Sequence, residues 1–179
     1  MRIVGGNYKG RQFNPGKKFT SRPTTDMAKE NLFNILQNRI DFENIKVLDL
    51  FSGTGSISFE FASRGCRDIT SVELNFHHHH FIKEVIEKIG EKNIKAVKAN
   101  ALRFIEQTNQ SYDLIFADPP FDLPQFKEVP RKVLSGNILR PEGIFILEHS
   151  NAYDFSDYPE WKEIRDYGNV HFSFFQNDR

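Results

Sequence analysis

Apolar residues recur along this chain with two periods, and the periods alternate. Val47–Phe51, Ile69–Leu74, Ile94–Ala99, Tyr112–Ala117 and Gly143–Glu148 are short, near-continuous apolar runs of the kind that form buried strands. Amphipathic stretches lie between them. One carries Ile82, Val85, Ile86 and Ile89 at i, i+3, i+4 and i+7 and stops at Gly90, a residue suited to a left-handed helix end. Others run from the Gly-rich turn after Phe51 to about Gly65, from Ala101, and over 125–134. Ahead of the first strand, Ala28, Leu32, Leu36 and Ile40, with Phe33 and Ile35 beside them, predict a helix opening at Thr24 or Thr25. Either threonine can cap its first amides. Two last runs, 161–167 and 170–175, flank Gly168-Asn169 and predict a closing antiparallel hairpin. Five strands buried on both faces, plus the hairpin, predict an α/β domain around a mostly parallel seven-stranded sheet. Such sheets bind ligands beyond the carboxyl ends of their strands, at the topological switch point.

Composition narrows the class. The chain has 179 residues, 39% hydrophobic and 27% charged, enough for one domain with a substantial core. Its one cysteine, Cys66, excludes an internal disulfide framework and a zinc site built from several thiolates, and reads as a small buried residue. The N-terminus has no apolar leader and no run approaches a membrane span, so a cytoplasmic protein with no membrane partner is the expectation. A net charge of zero conceals an asymmetry. Six cations (Arg2, Lys9, Arg11, Lys17, Lys18, Arg22) precede the first acid, Asp26. Residues 1–22 therefore form a basic arm, with Arg2–Val4 and Arg11–Phe13 as a small hairpin and 14–18 as a linker, ahead of a single domain at 23–179. A solvated terminus and a polyanion contact both fit such an arm.

Three segments at strand ends carry chemistry. The first is Asp49-Leu50-Phe51-Ser52-Gly53-Thr54-Gly55, where glycines let the turn pass close to a ligand and the next helix offers free amides. The second is Glu73, ending the second strand, where a carboxylate can accept both ribose hydroxyls. Together they indicate an adenosine-containing cofactor. NAD requires a third glycine at position 58, and this chain has Ser58. The third segment is Asp118-Pro119-Pro120-Phe121 after the fourth strand. An exocyclic base amine is a weak nucleophile because its lone pair is delocalised into the ring. The Asp118 carboxylate and Pro119 carbonyl can each accept one of its N–H groups, and they bind better as the nitrogen becomes cationic. The prolines stiffen the loop and add no competing N–H. Phe121 offers a face for the base to stack on.

Asp49, four residues before Gly53, resembles motif I of class I S-adenosylmethionine-dependent methyltransferases, where the acid lies near the methionine amino group. Asp118–Phe121 resembles the [DN]PP[FYW] motif of amino-methyltransferases. Arg2–Arg11, the run Arg22–Leu36, Val47–Ser56, Glu148-His149-Ser150 and Tyr167-Gly168-Asn169 are similar, in order and spacing, to the RsmD family of bacterial 16S rRNA guanine-N2 methyltransferases. This resemblance implies a Rossmann-like methyltransferase fold, S-adenosylmethionine as donor, and 16S rRNA in an assembling small ribosomal subunit as partner, with a monomeric enzyme expected. It implies catalytic roles for Asp118, Pro119, Pro120 and Phe121. Cofactor contacts would come from Asp49, Phe51, Ser52, Gly53 and Gly55, from Glu73 with Leu74, and from Asn100 with Ala101. Arg22, Thr24 and Thr25 would close over the methionine end, and Arg2, Lys9, Arg11, Lys17 and Lys18 would meet RNA. Asn100 stands where an Asp is usual but can still accept through its amide oxygen. Two other readings compete: an adenine-N6 methyltransferase, since the same motif serves that amine, and a non-catalytic rRNA-binding assembly factor. The run His77–His80 reads as a solvated helix start and not a metal site, because consecutive helical residues point in different directions.

Overall fold

The computed structural model describes residues 1–16, 19 and 25–177. Lys17, Lys18, Arg22 and Thr24 lie outside the described residues. Each apolar run becomes a strand: β1 (Lys46–Leu50), β2 (Asp68–Glu73), β3 (Ile94–Lys98), β4 (Tyr112–Ala117), β5 (Leu139–His149), β6 (Trp161–Tyr167) and β7 (Val170–Gln176). The helices are α1 (Asp26–Leu36), α2 (Ser56–Ser63), α3 (Phe76–Ile89), α4 (Ala101–Gln107) and α5 (Glu128–Ser135). The seven strands form one sheet in the order β3-β2-β1-β4-β5-β7-β6. β1 to β5 are parallel, while β7 inserts antiparallel between β5 and β6. The expected seven-stranded, mostly parallel Rossmann-like sheet is therefore present, with β3 and β6 at its edges. No helix among the described residues is long and apolar enough to cross a membrane.

Successive side chains on a strand point to opposite faces, so each apolar run feeds two cores. Val47, Ile69, Leu114, Phe116 and Ile146 join the core under α1, α2 and α3. Leu48, Leu50, Val72, Ile115 and Phe145 join the one under α4 and α5. By the same alternation Asp49, Glu73 and Glu148 fall on the α1–α3 side, each two residues beyond an apolar member of that core or in phase with one. Asp118, one residue past β4, continues the phase of Leu114 and Phe116.

Local differences from the sequence pattern have local causes. α1 is capped by the Thr25 side chain, which accepts from Ala28 N, and it ends at Leu36, so Ile40 packs from the following turn. β5 starts at Leu139 and not at Gly143, because a register shift opposite Tyr112 and Leu114 and a left-handed Glu142 (φ 60°) carry the strand through Arg140-Pro141. The arm's two pieces pair around the bridge Arg2–Gln12, with Ile3 N donating to Arg11 O (3.0 Å) and Phe13 N to Met1 O (2.9 Å), and enclose a 3-10 turn at Gly6–Tyr8. It is docked, not solvated: Ile3 and Phe13 are buried in the α1–α3 core. Gly6 (φ 69°) lies so close to α2 that a Cβ there would come within 1.9 Å of the Ser63 carbonyl oxygen.

A buried ionic network holds the arm down. The side chain of Lys29 is 1% exposed, and its Nζ donates to the Arg2 carbonyl and to Ser56 Oγ (2.9 Å). Glu60 Oε1 is 3.4 Å from that Nζ and accepts from Val4 N at 2.5 Å, while Glu60 Oε2 pairs with Arg64. Burial pulls the Lys29 pKa down, and Glu60 and Asp26 oppose it. Removing one member of a buried pair strands the other charge in a poor solvent. Lys29→Ala is accordingly expected to lower stability by about 3 kcal/mol, read from urea denaturation, with the double variant Lys29→Met/Glu60→Gln recovering most of the loss. An unchanged midpoint in Lys29→Ala would refute the network's role.

Candidate active site

A cleft of about 1810 Å³ opens at the carboxyl ends of β1, β2, β4 and β5, where the chain reverses its direction of travel across the sheet. Clefts that hold one small ligand are roughly 300–1,000 Å³, so there is room here for two molecules side by side. One wall is the turn after β1. Phe51 (φ 59°) and Gly53 (φ 54°) are both left-handed, and Phe51, a bulky residue in that region, carries about 1–2 kcal/mol of strain. The turn is held by Ser52, whose N donates to Val72 O (3.0 Å) and whose Oγ donates to Asp49 O (2.7 Å). Gly55 (φ 74°) lies behind this wall and not in it, backed by Phe59 and Ile82 at about 3.0 Å from a built Cβ.

The acids are individually fixed. Glu73 Oε2 accepts from Gly53 N (2.8 Å) and Oε1 from Asn75 N (2.7 Å). A carboxylate has about four lone-pair sites, so roughly two remain for a diol in the cleft. Asp49 is buried, and its Oδ2 accepts from Ser58 N (3.1 Å) and Ser58 Oγ (2.5 Å). Burial nevertheless pushes its pKa up to about 7, with Glu73 adding to the rise. A donor set with a diol acceptor at one end and a buried acid at the other fits an adenosine ligand that ends in a cation. Asn100 caps α4, its Oδ1 accepting from Arg103 N at 3.1 Å, so one lone pair is engaged and the other is left for a ligand amine. Leu74, Asn100, Ala101, Thr25 and Arg2 also line the cleft.

The second wall is the loop after β4. Asp118 N donates to Leu50 O (3.3 Å), Leu123 N to Pro120 O (2.9 Å) and Tyr153 Oη to Phe121 O (3.1 Å). Tyr153 is itself stacked on Phe126 at 4.1 Å. Among the described residues the Asp118 carboxyl and the Pro119 carbonyl make no hydrogen bond, and both line the cleft. Phe121 is half-exposed beside them, and the exposed Pro120 lines the cleft as well. Burial, then Glu148 and Asp49, push the Asp118 pKa well above the ordinary carboxylate range.

Four residues of the site were not singled out by sequence reasoning. Glu148 lines the cleft, buried, at the end of β5. It is a lone acid closing an apolar strand, the same signal that marked Glu73. Lys29 sits in phase with Leu32, Phe33 and Leu36, and a lysine on a core stripe is a signal of its own. Ser58 stood out there only as the missing third glycine and Tyr153 not at all: their roles here depend on contacts 9 and 32 residues away. Of the proposed RNA contacts, Arg2 pairs with Asp26 (2.8 Å) at the cleft, whereas Lys9 and Arg11 lie on the outer face of the arm, Arg11 over the Tyr8 ring. His78 is buried and stacks on Phe19 at 3.9 Å, while His77 and His80 are exposed. Cys66 is buried, its pKa pushed up to about 11 by burial.

Comparison with known proteins identifies the architecture. A family model described as conserved hypothetical protein 95 matches residues 1–176. The ribosomal RNA small subunit methyltransferase D of Buchnera aphidicola (subsp. Baizongia pistaciae) is 29% identical over 99% of this chain and 92% of its own length. The protein of the same name from Escherichia coli K12 is 28% identical over 83% of this chain and 74% of its own. A solved structure described as putative methyltransferase yhhF from Escherichia coli matches with a TM-score of 0.86 at 25% identity, covering 99% of this chain and 98% of that one. The T. thermophilus 16S rRNA N2 G1207 methyltransferase (RsmC), solved with AdoMet and guanosine, shares the fold at a TM-score of 0.69 and 20% identity, covering 88% of this chain and 45% of that one. With the family model matched along nearly its whole length, this chain belongs to the conserved hypothetical protein 95 family, the RsmD-type methyltransferases.

Proposed function

We propose that this protein transfers a methyl group from S-adenosylmethionine to the exocyclic N2 of a guanine in 16S rRNA, acting as a monomer on the small ribosomal subunit or its precursor. The observation that carries the reading is the pair of unbonded acceptors, Asp118 and Pro119 O, in a loop whose neighbouring carbonyls are already tied. Guanine N2 and adenine N6 both present an amine to such a pair. The relatives named ribosomal RNA small subunit methyltransferase D, and the fold neighbour named for guanine N2, favour guanine in small-subunit rRNA.

Bound in the cleft, S-adenosylmethionine would supply a methyl on a cationic sulfur, and as that S–C bond breaks the sulfur would leave as the neutral thioether of S-adenosylhomocysteine. Glu73 holds the ribose diol with the lone pairs its backbone donors leave over, and Asp49 faces the ligand's ammonium. Asp118 and the Pro119 carbonyl each accept one amine N–H, so that the nitrogen lone pair turns toward the methyl. Phe121 stacks on the base, and the Tyr153 tether on its carbonyl fixes the loop against sliding. As the C–N bond forms, the nitrogen becomes cationic and must lose a proton. The Asp118 carboxylate, with its proton affinity raised by burial beside Glu148 and Asp49, is placed to take it. Arg2, Lys9 and Arg11, with Lys17 and Lys18, present the basic arm to RNA phosphates.

Mass spectrometry of nucleosides from unmethylated small subunits, incubated with protein and cofactor, tests the whole reading by the appearance of N2-methylguanosine. Asp118→Ala is expected to reduce transfer by at least 10³-fold, on the scale of a lost transition-state contact plus a lost base, while calorimetry finds cofactor affinity within a few-fold of the parent. Loss of cofactor binding in that variant would remove Asp118 from the amine. Asp49 supplies a pH test. Its folded pKa near 7 means that below pH 7 it carries a proton which a cationic ligand must expel. Cofactor affinity should therefore rise with pH up to about 7 and level off, and Asp49→Asn should bind more weakly with a flatter profile. An equally steep profile in the variant would count against this assignment. Replacing Lys9 and Arg11 by Ala is expected to lower the salt dependence of RNA binding by about 0.7 per lost phosphate contact. An unchanged slope would exclude the arm from the interface.

A further inference from the structure

At the rim of the cleft, where β2 and β3 end, the chain exposes a strip it uses for neither core nor cap. Leu74 and Phe76 are 60% and 58% exposed. The cap of α3 is Asn75, whose Oδ1 accepts from His77 N and His78 N, so Phe76 has no part in closing the helix. The Phe76 ring lies parallel to His80 (6.0 Å, 3°), edge-on to His77 (5.6 Å), and under Lys98, whose Nζ is 5.1 Å from the ring centre. An open groove of about 470 Å³ leads away from this strip past the exposed Arg103 to Phe104 and Gln107. Leu74, Ala99 and Asn100 line both groove and cleft, so the two are continuous. Neither Lys98 nor Arg103 has an ion pair among the described residues, and in the ring cluster His80 Nε2 lies 3.6 Å from Glu84.

Large exposed apolar groups at the mouth of a site mark a contact surface. Here the aromatic face is flanked by unpaired cations, which suits a chain that is flat and anionic at once. We propose that the Phe76 strip docks RNA: an unpaired nucleotide near the target guanine stacks on Phe76, and Lys98 and Arg103 hold the phosphates on either side. A base arriving on the ring moves the Lys98 ammonium from an exposed cation–π contact to a phosphate, and both new contacts are the stronger kind. The RNA then has this strip as a second hold besides the arm. This inference rests on the rRNA reading above.

The test measures binding of unmethylated small subunits, and of a single-stranded purine-rich RNA, by the parent, Phe76→Ala and Lys98→Glu/Arg103→Glu. Phe76→Ala should bind RNA about 10-fold more weakly and raise KM with kcat nearly unchanged, with cofactor affinity within two-fold and an unaltered thermal midpoint. The charge-reversal pair should reduce the salt slope by about 1.4. Parent-level RNA binding in both variants, with a parent that methylates rRNA, overturns the strip alone. A parent dimer that Phe76→Ala dissociates overturns it in favour of self-association. A parent that binds the cofactor but neither binds nor methylates rRNA overturns the underlying reading instead.

Discussion

The rule that strand side chains alternate between faces governs this site. Asp49, Glu73, Asp118 and Glu148 reach the carboxyl ends of four parallel strands in the same phase as the apolar residues of the α1–α3 core. Packing four acids at one end of a sheet is electrostatically costly, and three of them are relieved in different ways. Glu73 takes two backbone amides, Asp49 takes both donors of Ser58, and Asp118 rises far above its usual pKa. The cleft thus gathers acceptors and raised-pKa acids at one end of the sheet, an environment suited to a ligand that brings positive charge and N–H donors.

This placement was largely visible in the sequence. The apolar runs gave the strands, and the lone acids at their ends, Asp49 and Glu73, stood out because buried strands rarely tolerate charge. Glu148 carries the same mark. The identity of residue 58 was informative in a way the motif alone does not explain: a serine there, in place of glycine, is the donor that steadies Asp49 in the interior. What the sequence could not give were contacts set by packing. The Tyr153 tether on Phe121 and the docking of Val4 on Glu60 join residues 32 and 56 positions apart, and no periodicity encodes such pairs.

The arm shows how charge arithmetic can mislead and inform together. Counting cations correctly marked residues 1–25 as unusual, yet Ile3 and Phe13, apolar members of the same segment, decide its structure by entering the core. Lys29 and Glu60 then connect the arm to Ser56, the first residue of the helix behind the glycine turn. The arm is in this way mechanically joined to the wall of the cleft.

The order of strands at the far end of the sheet also decides which strands are left at its rims. Because β7 is inserted between β5 and β6, the apolar strand is covered on both sides. The rim is left to β6, whose Lys162, Glu163, Arg165 and Asp166 alternate in sign. The opposite rim, β3, carries Lys95 and Lys98. Open backbone at either rim would otherwise invite another strand to zip on, and a charged fringe makes that addition expensive.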